Sequence, residues 1–318
     1  MSEKNNENVC FRTMIGGQAL IEGIMMRGPD KQAIVCRTKD GLVEKVEDIK
    51  LDKEKHPILG WPFVRGCAIF LDSMYKGMQA LTYSASLIPE DEQEEPDKLD
   101  KWISDHFPAE KAQKLIIGVA VVLGIALSLL LFIFLPTLIV GFIKPLTSSY
   151  VIRNLSEGVL KVVILLIYMK LCTRVSDVQR LFSYHGAEHK TIFCYEHGRE
   201  LTVENVRTES RFHPRCGTSF LLVVIVVSIL VNSVVLLDNS FARMGCHLLL
   251  LPVVVGISYE INRWCGRHDN ILSAALSAPG KWLQRITTNE PDDGMIECAI
   301  RAMELVIPEE KGLDEWGK

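Results

Sequence analysis

The chain has 318 residues, 48% of them hydrophobic, and a mean hydropathy of +0.18. This apolar content predicts that much of the chain lies in lipid rather than in two soluble domains. The formal net charge of −4, without a basic block containing aromatic residues, excludes nucleic acid as an expected partner. The nine cysteines form no Cys-x-x-Cys pair, which argues against a disulfide framework or a zinc ribbon and favours a reducing cytoplasm for the soluble parts.

Residues 1–88 are predicted to form a cytoplasmic α+β domain. The glycine-rich segment at residues 14–29 indicates two short strands joined by tight turns, and the alternative is that Glu22 and Arg27 belong to a binding surface. Two alternating segments around a Lys-Asp-Gly turn then predict a β-hairpin. Apolar residues at helical spacing over residues 61–86 predict an amphipathic helix that covers the sheet or lies on the membrane surface.

An acidic linker and a lead-in helix at residues 89–114 are expected to connect this domain to a membrane domain at residues 115–262. Four apolar segments predict transmembrane helices in the membrane domain: residues 115–143, 155–172, 220–237 and 244–261. The second segment contains lysines, so it crosses the bilayer only if they face protein or extend to the interface.

The distribution of lysine and arginine predicts the orientation. These residues crowd the segment between the second and third spans, residues 173–219, and are few in the other two connections. The positive-inside rule therefore places this segment and both termini in the cytoplasm. The C-terminal part, residues 263–318, is predicted to be a helical tail whose last helix packs on the N-terminal domain. The expected fold class is an α-helical polytopic membrane protein with about four spans.

The segment at residues 184–190 has the order His-x-x-Glu-His, which is the inverzincin pattern. In a helix, His185 and His189 lie one turn apart on the same face, with Glu188 beside them. This arrangement places two nitrogen ligands on one zinc ion. Glu188, beside the metal and not bound to it, is then the candidate general base that deprotonates a water molecule.

A catalytic zinc site has three protein ligands and one open position. The predicted topology brings three candidates for the third ligand to the cytoplasmic membrane face: His213, Cys216 and Glu260. Cys216 is a soft ligand beside an arginine, and Glu260 is a costly charge at the end of an apolar helix unless it is paired or bound. The sequence does not choose among them.

Three other polar residues are expected to lie outside the metal site. Glu196 and His197 follow the histidine pair by about two helical turns and are expected to be solvated. His247 lies near the start of the fourth predicted span, on the side away from the zinc candidates, and is expected to form an interhelical hydrogen bond.

Four stretches carry a resemblance to a known family, and they are Ile15 to Ala19 with Arg27 to Pro29, Tyr184 to Lys190, Phe212 to Phe220, and Thr287 to Asp293. Through them the sequence resembles the YqhQ-like family of bacterial multipass membrane proteins. The resemblance covers nearly the whole chain. It implies a location in the bacterial inner membrane and a metal-dependent enzyme whose substrate is not assigned.

Three function classes follow from these observations. The first is a membrane protein with a cytoplasmic zinc site that acts as a metal-dependent hydrolase or peptidase. The second is a non-enzymatic accessory or scaffold subunit, in which the histidines bind a structural metal or only each other. The third is a transporter component, which the small number of charged residues in the predicted spans disfavours. The expected partners are the lipid bilayer and a membrane protein or a second copy of the chain; the sequence indicates no substrate.

Overall fold

The computed structural model describes residues 10–49, 60–89, 98–143, 149–237, 239–268 and 270–316. The predicted acidic linker lies mostly outside the described residues. The described elements are four strands and eleven α-helices, with a π-helical turn, Leu130–Phe134, between α3 and α4. The helices are α1 Val64–Ser86, α2 Lys98–His106, α3 Ala109–Leu129, α4 Leu135–Ile143, α5 Tyr150–Cys172, α6 Ser176–Glu196, α7 Val203–Thr208, α8 Gly217–Asn232, α9 Ser240–Arg267, α10 Ile271–Thr287 and α11 Asp293–Glu304.

The strands form one antiparallel sheet in the order β1-β2-β3-β4. Their bounds are β1 Gly16–Leu20, β2 Gly23–Arg27, β3 Lys31–Thr38 and β4 Gly41–Asp48. The turn between β1 and β2 holds Glu22 at a φ of 49°, and the turn before β4 uses Gly41 at a φ of 123°. The two short strands and the following hairpin therefore lie where the sequence predicted them, because glycine and polar turn residues interrupt each alternating segment.

Helix α1 covers one face of the sheet with its smallest side chains. Ala80 packs in a cluster with Leu20, Met25 and Ile34, while Gly77 and Ser84 on the same helix are also buried. The bulky apolar residues of α1 point away from the sheet, and the most exposed of them are Leu71, Met74 and Tyr75. The amphipathic helix therefore covers the sheet, as one of the two predicted alternatives stated, and leaves a second apolar face exposed.

Helices α6 and α11 cover the other face of the sheet. The main buried cluster joins strand residues to both helices, with Tyr184 and Ala187 from α6 and Met295, Ala299 and Met303 from α11 among its members. Asp292 caps α11 by accepting a hydrogen bond from the backbone nitrogen of Met295 at 2.8 Å. The last helix thus packs on the N-terminal sheet, and the sheet fixes the position of α6, which carries the two candidate histidine ligands.

The chain divides into two compact units. Unit 1 contains residues 1–87, 168–227 and 252–318, and unit 2 contains residues 88–167 and 228–251. Unit 1 includes the sheet, α1, α6, α7, α10 and α11. Unit 2 includes α2, α3 and α4, and α5, α8 and α9 contribute residues to both units.

Two helical stretches are long and apolar enough to cross a bilayer, namely Leu115–Phe142 and Ser240–Arg267. The apolar part of α8, Phe220–Asn232, is shorter than a span requires. Helix α5 buries polar residues, including Glu157 and Lys161, so its hydropathy is reduced. The structure therefore confirms a mostly helical protein with a small antiparallel sheet, and two such helices are only weak support for a membrane location.

Candidate metal centre

Helix α6 presents the His-x-x-Glu-His pattern next to the sheet. Small residues between the histidines allow close packing: a side chain at Gly186 would collide with the backbone oxygen of Asn289, and Ala187 is completely buried. His185 is partly exposed, whereas Glu188 and His189 are buried. The helical spacing holds both imidazoles on one side of α6, where their ring centroids lie 4.3 Å apart.

Cys216 completes the cluster from the residue just before α8. The Nε2 atom of His185 lies 3.1 Å from the Sγ atom of Cys216. One ligand atom from each of His185, His189 and Cys216 lies within 4.8 Å of the other two. Cys216 is 8% exposed and His189 is 1% exposed, so these two ligand atoms are nearly removed from solvent. The three side chains are of types that bind metals, and their ligand atoms are close enough together for one ion.

Backbone carbonyl groups fix the tautomer of both histidines. The Nδ1 atom of His185 donates to the carbonyl oxygen of Thr287 at 2.9 Å, and that of His189 donates to the carbonyl oxygen of Arg211 at 2.5 Å. A carbonyl oxygen only accepts hydrogen bonds, so the Nε2 atoms carry the free lone pairs when the rings are neutral. The Nε2 atom of His189 is buried without a hydrogen-bond partner among the described residues. Histidine ligands of metal sites show this outer hydrogen bond, so the residues present fit a metal ion.

The electrostatics of the cluster favour a thiolate. Burial opposes ionisation of Cys216, but the nearby His189 and His185 hold the pKa of this thiol well below its ordinary value of 9.0. Burial likewise lowers the pKa of the His185 imidazolium, but Cys216, together with Glu188 and the carbonyl group of Thr287, outweighs burial and raises the pKa to about 9. A thiolate and two imidazoles form a ligand set that binds zinc in preference to magnesium or calcium.

Glu188 points to the edge strand of the sheet. Its Oε1 atom accepts a hydrogen bond from the backbone nitrogen of Gly17 at 3.1 Å. A Cβ atom at Gly17 would lie 2.9 Å from the Cδ atom of Glu188, so the glycine permits this close approach. Burial raises the pKa of Glu188 above its ordinary value, while His185 and His189 oppose the change. The carboxyl group is therefore held beside the cluster in an environment that strengthens it as a base.

Gly17 also lines a surface cavity of about 320 Å³ between β1, β2 and α1. Gln18, Arg27, Ser73 and Lys76 contribute side chains to its wall. The three residues of the candidate metal cluster do not line it. Glu188 does not line it either but accepts a hydrogen bond from Gly17, which does, and Arg27 pairs with Asp72 at 2.8 Å.

His213 lies near the cluster but has other partners. Its Nε2 atom lies 3.4 Å from the Oε2 atom of Glu196, and its Nδ1 atom accepts from the backbone nitrogen of Arg215 at 3.3 Å. Burial lowers the pKa of His213 to about 4. Because both ring nitrogens contact other groups, the geometry indicates that His213 supports the segment that carries Cys216.

Glu196 anchors the same segment. It is 1% exposed and accepts hydrogen bonds from the backbone nitrogen of Thr13, from His213 and from the guanidinium of Arg215. Burial raises the pKa of Glu196, but His213 and Arg215 outweigh it and leave the pKa below its ordinary value. The prediction that Glu196 is solvated was wrong, because the residue lies seven positions after His189 on the same buried side of α6.

His197 was also expected to be solvated and is instead engaged. Its Nδ1 atom lies 3.0 Å from the Oε2 atom of Glu209, whose carboxylate also accepts from Arg199 at 3.0 Å. These contacts close the turn between α6 and α7. His197 therefore has a structural role away from the three ligand atoms.

Glu260 lies in an ion pair with Arg65. Its Oε1 atom accepts from the Nε atom of Arg65 at 2.7 Å and from the backbone nitrogen of Phe63 at 3.4 Å. The pair joins α1 to α9, where Gly256 and Gly66 allow close contact between the two segments. The carboxylate is thus paired, as its position in an apolar helix requires, and it is not in the group of ligand atoms formed by His185, His189 and Cys216.

The four stretches that carried the family resemblance converge on the cluster. Gly17 binds Glu188, Thr287 binds His185, and the segment before α8 supplies Cys216. Glu290, in the last of these stretches, forms ion pairs with Lys190 at 2.8 Å and with Arg211. The first and last of these stretches lie more than 250 residues apart in the sequence, and all four belong to unit 1.

The fold and the site define the class of this protein: it is mostly helical and contains a cluster of two histidines and one cysteine. The family profile described as "Protein of unknown function (DUF1385)" matches residues 61–309, and the chain belongs to that family. It is 33% identical over 299 residues to "Uncharacterized protein YqhQ" of Bacillus subtilis (strain 168), an alignment that covers 92% of each chain. No solved structure matches the chain.

Proposed function

We propose that this protein binds one zinc ion through His185, His189 and Cys216 and is a membrane-associated metal-dependent hydrolase, with a peptidase as the form that the sequence pattern suggests. The convergence of three ligand atoms within 4.8 Å of one another is the observation that carries the proposal. The carbonyl partners of both Nδ1 atoms support it, because they direct the two Nε2 atoms toward the metal position.

Three protein ligands leave the fourth position of a tetrahedral zinc ion open. A zinc ion bound there would supply Lewis-acid activation of a water molecule or of a substrate carbonyl. Neither His213, which is engaged by Glu196 and Arg215, nor Glu260, which is paired with Arg65, competes for that position among the described contacts. The donor set therefore supports a catalytic rather than a saturated site.

Glu188 is the residue that accepts the proton in this proposal. It follows the inverzincin order, lies between the two histidine ligands in sequence, and has a pKa raised by burial. The hydrogen bond from Gly17 orients one oxygen, Oε1, and leaves Oε2 for a proton from water. Burial of Glu188 and His189 limits the access of bulk water.

A location in the bacterial inner membrane, with four spans and both termini in the cytoplasm, is part of the proposal. Leu115–Phe142 and Ser240–Arg267 support it by length and composition. Reporter fusions placed before Leu115 and after Ile261 test it, since four spans require both reporters to be cytoplasmic. Reporters on opposite sides would contradict the even number of spans.

A non-enzymatic scaffold with a structural metal is the second candidate. Burial of Cys216, His189 and Glu188 favours it, because a catalytic zinc ion needs an open position that water or substrate can reach. A membrane-protein partner or a second copy of the chain would then be the binding partner. The two candidates share the ligands and differ in whether Glu188 is needed for function.

The Glu188→Gln variant separates the two candidates. It keeps the size of the side chain and an oxygen for the Gly17 hydrogen bond but cannot accept a proton from water. The hydrolase proposal predicts that the variant retains its zinc and fails to restore the phenotype of a strain without the gene. Full rescue by a zinc-containing Glu188→Gln protein would favour the scaffold, and the exposed residue Glu297 on α11 provides a matched Glu→Gln control.

A further inference from the structure

Unit 2 contains a group of charged side chains that the proposed metal centre does not use. Glu157 and Lys161 come from α5, and Arg243 and His247 come from α9; these four residues are called the Glu157 cluster below. Glu157, Arg243 and His247 are each at most 4% exposed, and Lys161 is 8% exposed. Charged residues are almost never buried to this degree without a partner or a ligand.

The carboxylate of Glu157 is the centre of the cluster. Its Oε2 atom accepts a hydrogen bond from Arg243 at 2.7 Å. Its Oε1 atom lies 3.0 Å from the Nζ atom of Lys161 and 3.3 Å from the Nδ1 atom of His247, and it accepts from the hydroxyl of Thr137 at 3.1 Å. Three helices, α4, α5 and α9, therefore converge on one carboxylate.

Among the residues that the structure describes, the charges of the cluster do not balance. Two permanent cations, Lys161 and Arg243, face the single carboxylate of Glu157, so the cluster carries a net charge of +1, and protonation of His247 would make it +2. The further contact of Arg243 is a neutral acceptor, the Oδ1 atom of Asn154 at 2.9 Å. An excess cation at a buried position is costly, so an additional negative group would stabilise the cluster.

Hydrogen-bonding groups in the cluster are also unsatisfied. Among the residues that the structure describes, the Nε atom of Arg243 and both ring nitrogens of His247 have no hydrogen-bond partner. The 3.3 Å contact from His247 to Glu157 lacks hydrogen-bond geometry. A buried water molecule could satisfy these atoms, but it would not balance the charge, whereas an oxyanion does both.

An interhelical ion pair is the structural alternative for these residues. It explains the contact between Glu157 and Arg243, but a buried ion pair adds little stability compared with apolar packing. It does not explain why a second cation and an unsatisfied imidazole accompany the pair. The Nη2 atom of Arg243 is used by Glu157 and Asn154, but its Nε atom has no partner among the described residues and can donate to a carboxylate or phosphate oxygen.

We propose that the Glu157 cluster is an oxyanion-binding site, in which Lys161, Arg243 and His247 bind a phosphate or carboxylate group that competes with Glu157 for their charges. The oxyanion is either a free anion or the headgroup of an acidic lipid. The site is independent of the metal centre, since none of its residues lies in unit 1.

The test uses the full chain, purified in a neutral detergent with chelator present so that the metal centre does not contribute. Thermal unfolding is followed while phosphate replaces chloride at constant ionic strength. In parallel, the protein is extracted from nanodiscs that contain equal amounts of phosphatidylglycerol and phosphatidylcholine, and the retained lipid is identified by mass spectrometry. Saturable stabilisation by phosphate identifies a free anion, and selective retention of phosphatidylglycerol without a phosphate effect identifies a lipid headgroup.

Variants distinguish an oxyanion site from an interhelical ion pair. Arg243→Gln and Lys161→Gln are expected to weaken oxyanion binding about tenfold or more, because each removes one charged donor. Glu157→Gln is expected to tighten binding, because it removes the competing charge: its one oxygen can still accept from Thr137, while Arg243 loses its acceptor Oε2 and is freed for the oxyanion. Lys170→Gln, at an exposed position of the same helix, is the control and should leave binding unchanged.

The sign of the Glu157→Gln effect remains informative if the cation variants do not fold. Weaker binding in Glu157→Gln would overturn the proposal, because removal of a carboxylate that competes for the cations must leave them more available to an oxyanion. The absence of both a phosphate effect and phosphatidylglycerol selectivity in the unsubstituted protein would also overturn it.

Discussion

The Nε2 atom of His185 lies 3.1 Å from the Sγ atom of Cys216, although 31 residues separate them in the chain. The contact joins the middle of α6 to the residue before α8. Two carbonyl groups, those of Thr287 and Arg211, hold the imidazoles of His185 and His189 in the tautomer that this contact requires. The geometry of the two candidate ligands on α6 therefore depends on three other segments of unit 1, those that contain Cys216, Thr287 and Arg211.

Gly186→Ala tests the approach of the C-terminal segment to α6. A Cβ atom at this position would collide with the backbone oxygen of Asn289 and approach Pro291 to 3.5 Å, so the segment that contains Thr287 must move. Overpacking of this kind lowers the free energy of unfolding by about 1–3 kcal/mol. We expect a lower midpoint of thermal unfolding together with weaker zinc binding, because Thr287 orients His185.

Gly118→Ala is the matched control. Gly118 is also helical, on α3, and no atom lies within 4 Å of its added Cβ. The control should be neutral or slightly stabilising, since alanine is the better helix former by about 1 kcal/mol. Equal effects of the two substitutions on zinc affinity would contradict the role of the close approach at Gly186.

The sequence predicts the sheet and the ligand pair because both depend on local spacing. The alternating segments and glycine turns define β1 to β4, and the spacing of His185 and His189 places them on one helical face. The choice among the candidates for a third ligand depends on tertiary contacts. Only the structure shows that Arg65 engages Glu260 and that Cys216 faces His185.

Two polar clusters were not predicted from the sequence, because they also depend on how the helices pack. Glu196 was expected to be solvated, although its spacing from His189 places it on the same side of α6 and is a signal that could have indicated burial. The pairs Glu157 with Lys161 and Arg243 with His247 each have a spacing of four residues, which also places each pair on one helical face. Their shared location required the packing of α5 on α9, which periodicity does not reveal.

Glu196→Gln tests whether the buried carboxylate positions the segment that carries Cys216. The substitution removes the charge that binds Arg215 and His213, so the backbone around Arg211 and Cys216 loses its anchor. Substitutions of such supporting residues weaken metal affinity about 10–100-fold. We expect a loss of that size in a competition titration with a zinc chelator.

Glu209→Gln is the corresponding control. Glu209 is also buried and ion-paired, with Arg199 and His197, but it does not contact the segment around Cys216 in the described structure. It should lower stability while zinc affinity stays within about twofold of the unsubstituted protein. Equal losses of zinc affinity in both variants would indicate a general effect of destabilisation.

The lowered pKa of His213 predicts that the stability of the metal-free protein depends on pH. Its pKa falls from an ordinary value of 6.5 to about 4 in the folded state because burial disfavours the charged ring. Between these values the unfolded chain binds more protons than the folded chain. The contribution of His213 is therefore fully present above pH 6.5 and is lost as the pH falls toward 4, with a slope of at most about 1.4 kcal/mol per pH unit.

The measurement compares the unsubstituted protein with His213→Gln, both in excess chelator, by thermal unfolding between pH 7 and pH 5. Subtracting the two curves removes the contributions of groups that titrate in the same way in both proteins. We expect the unsubstituted protein to lose stability more steeply over this range. Parallel curves would show that the folded state does not keep His213 neutral.

Metal analysis of detergent-purified protein tests the central claim most directly. We predict about one zinc ion per chain in the unsubstituted protein and in His268→Ala, whose histidine is exposed directly after α9 and hydrogen-bonded to the Trp264 carbonyl. His185→Ala, His189→Ala and Cys216→Ala should each lose most of the metal while retaining the circular dichroism of a folded helical protein. Protein purified without chelators that contains no stoichiometric metal, or folded variants that keep it, would contradict the account.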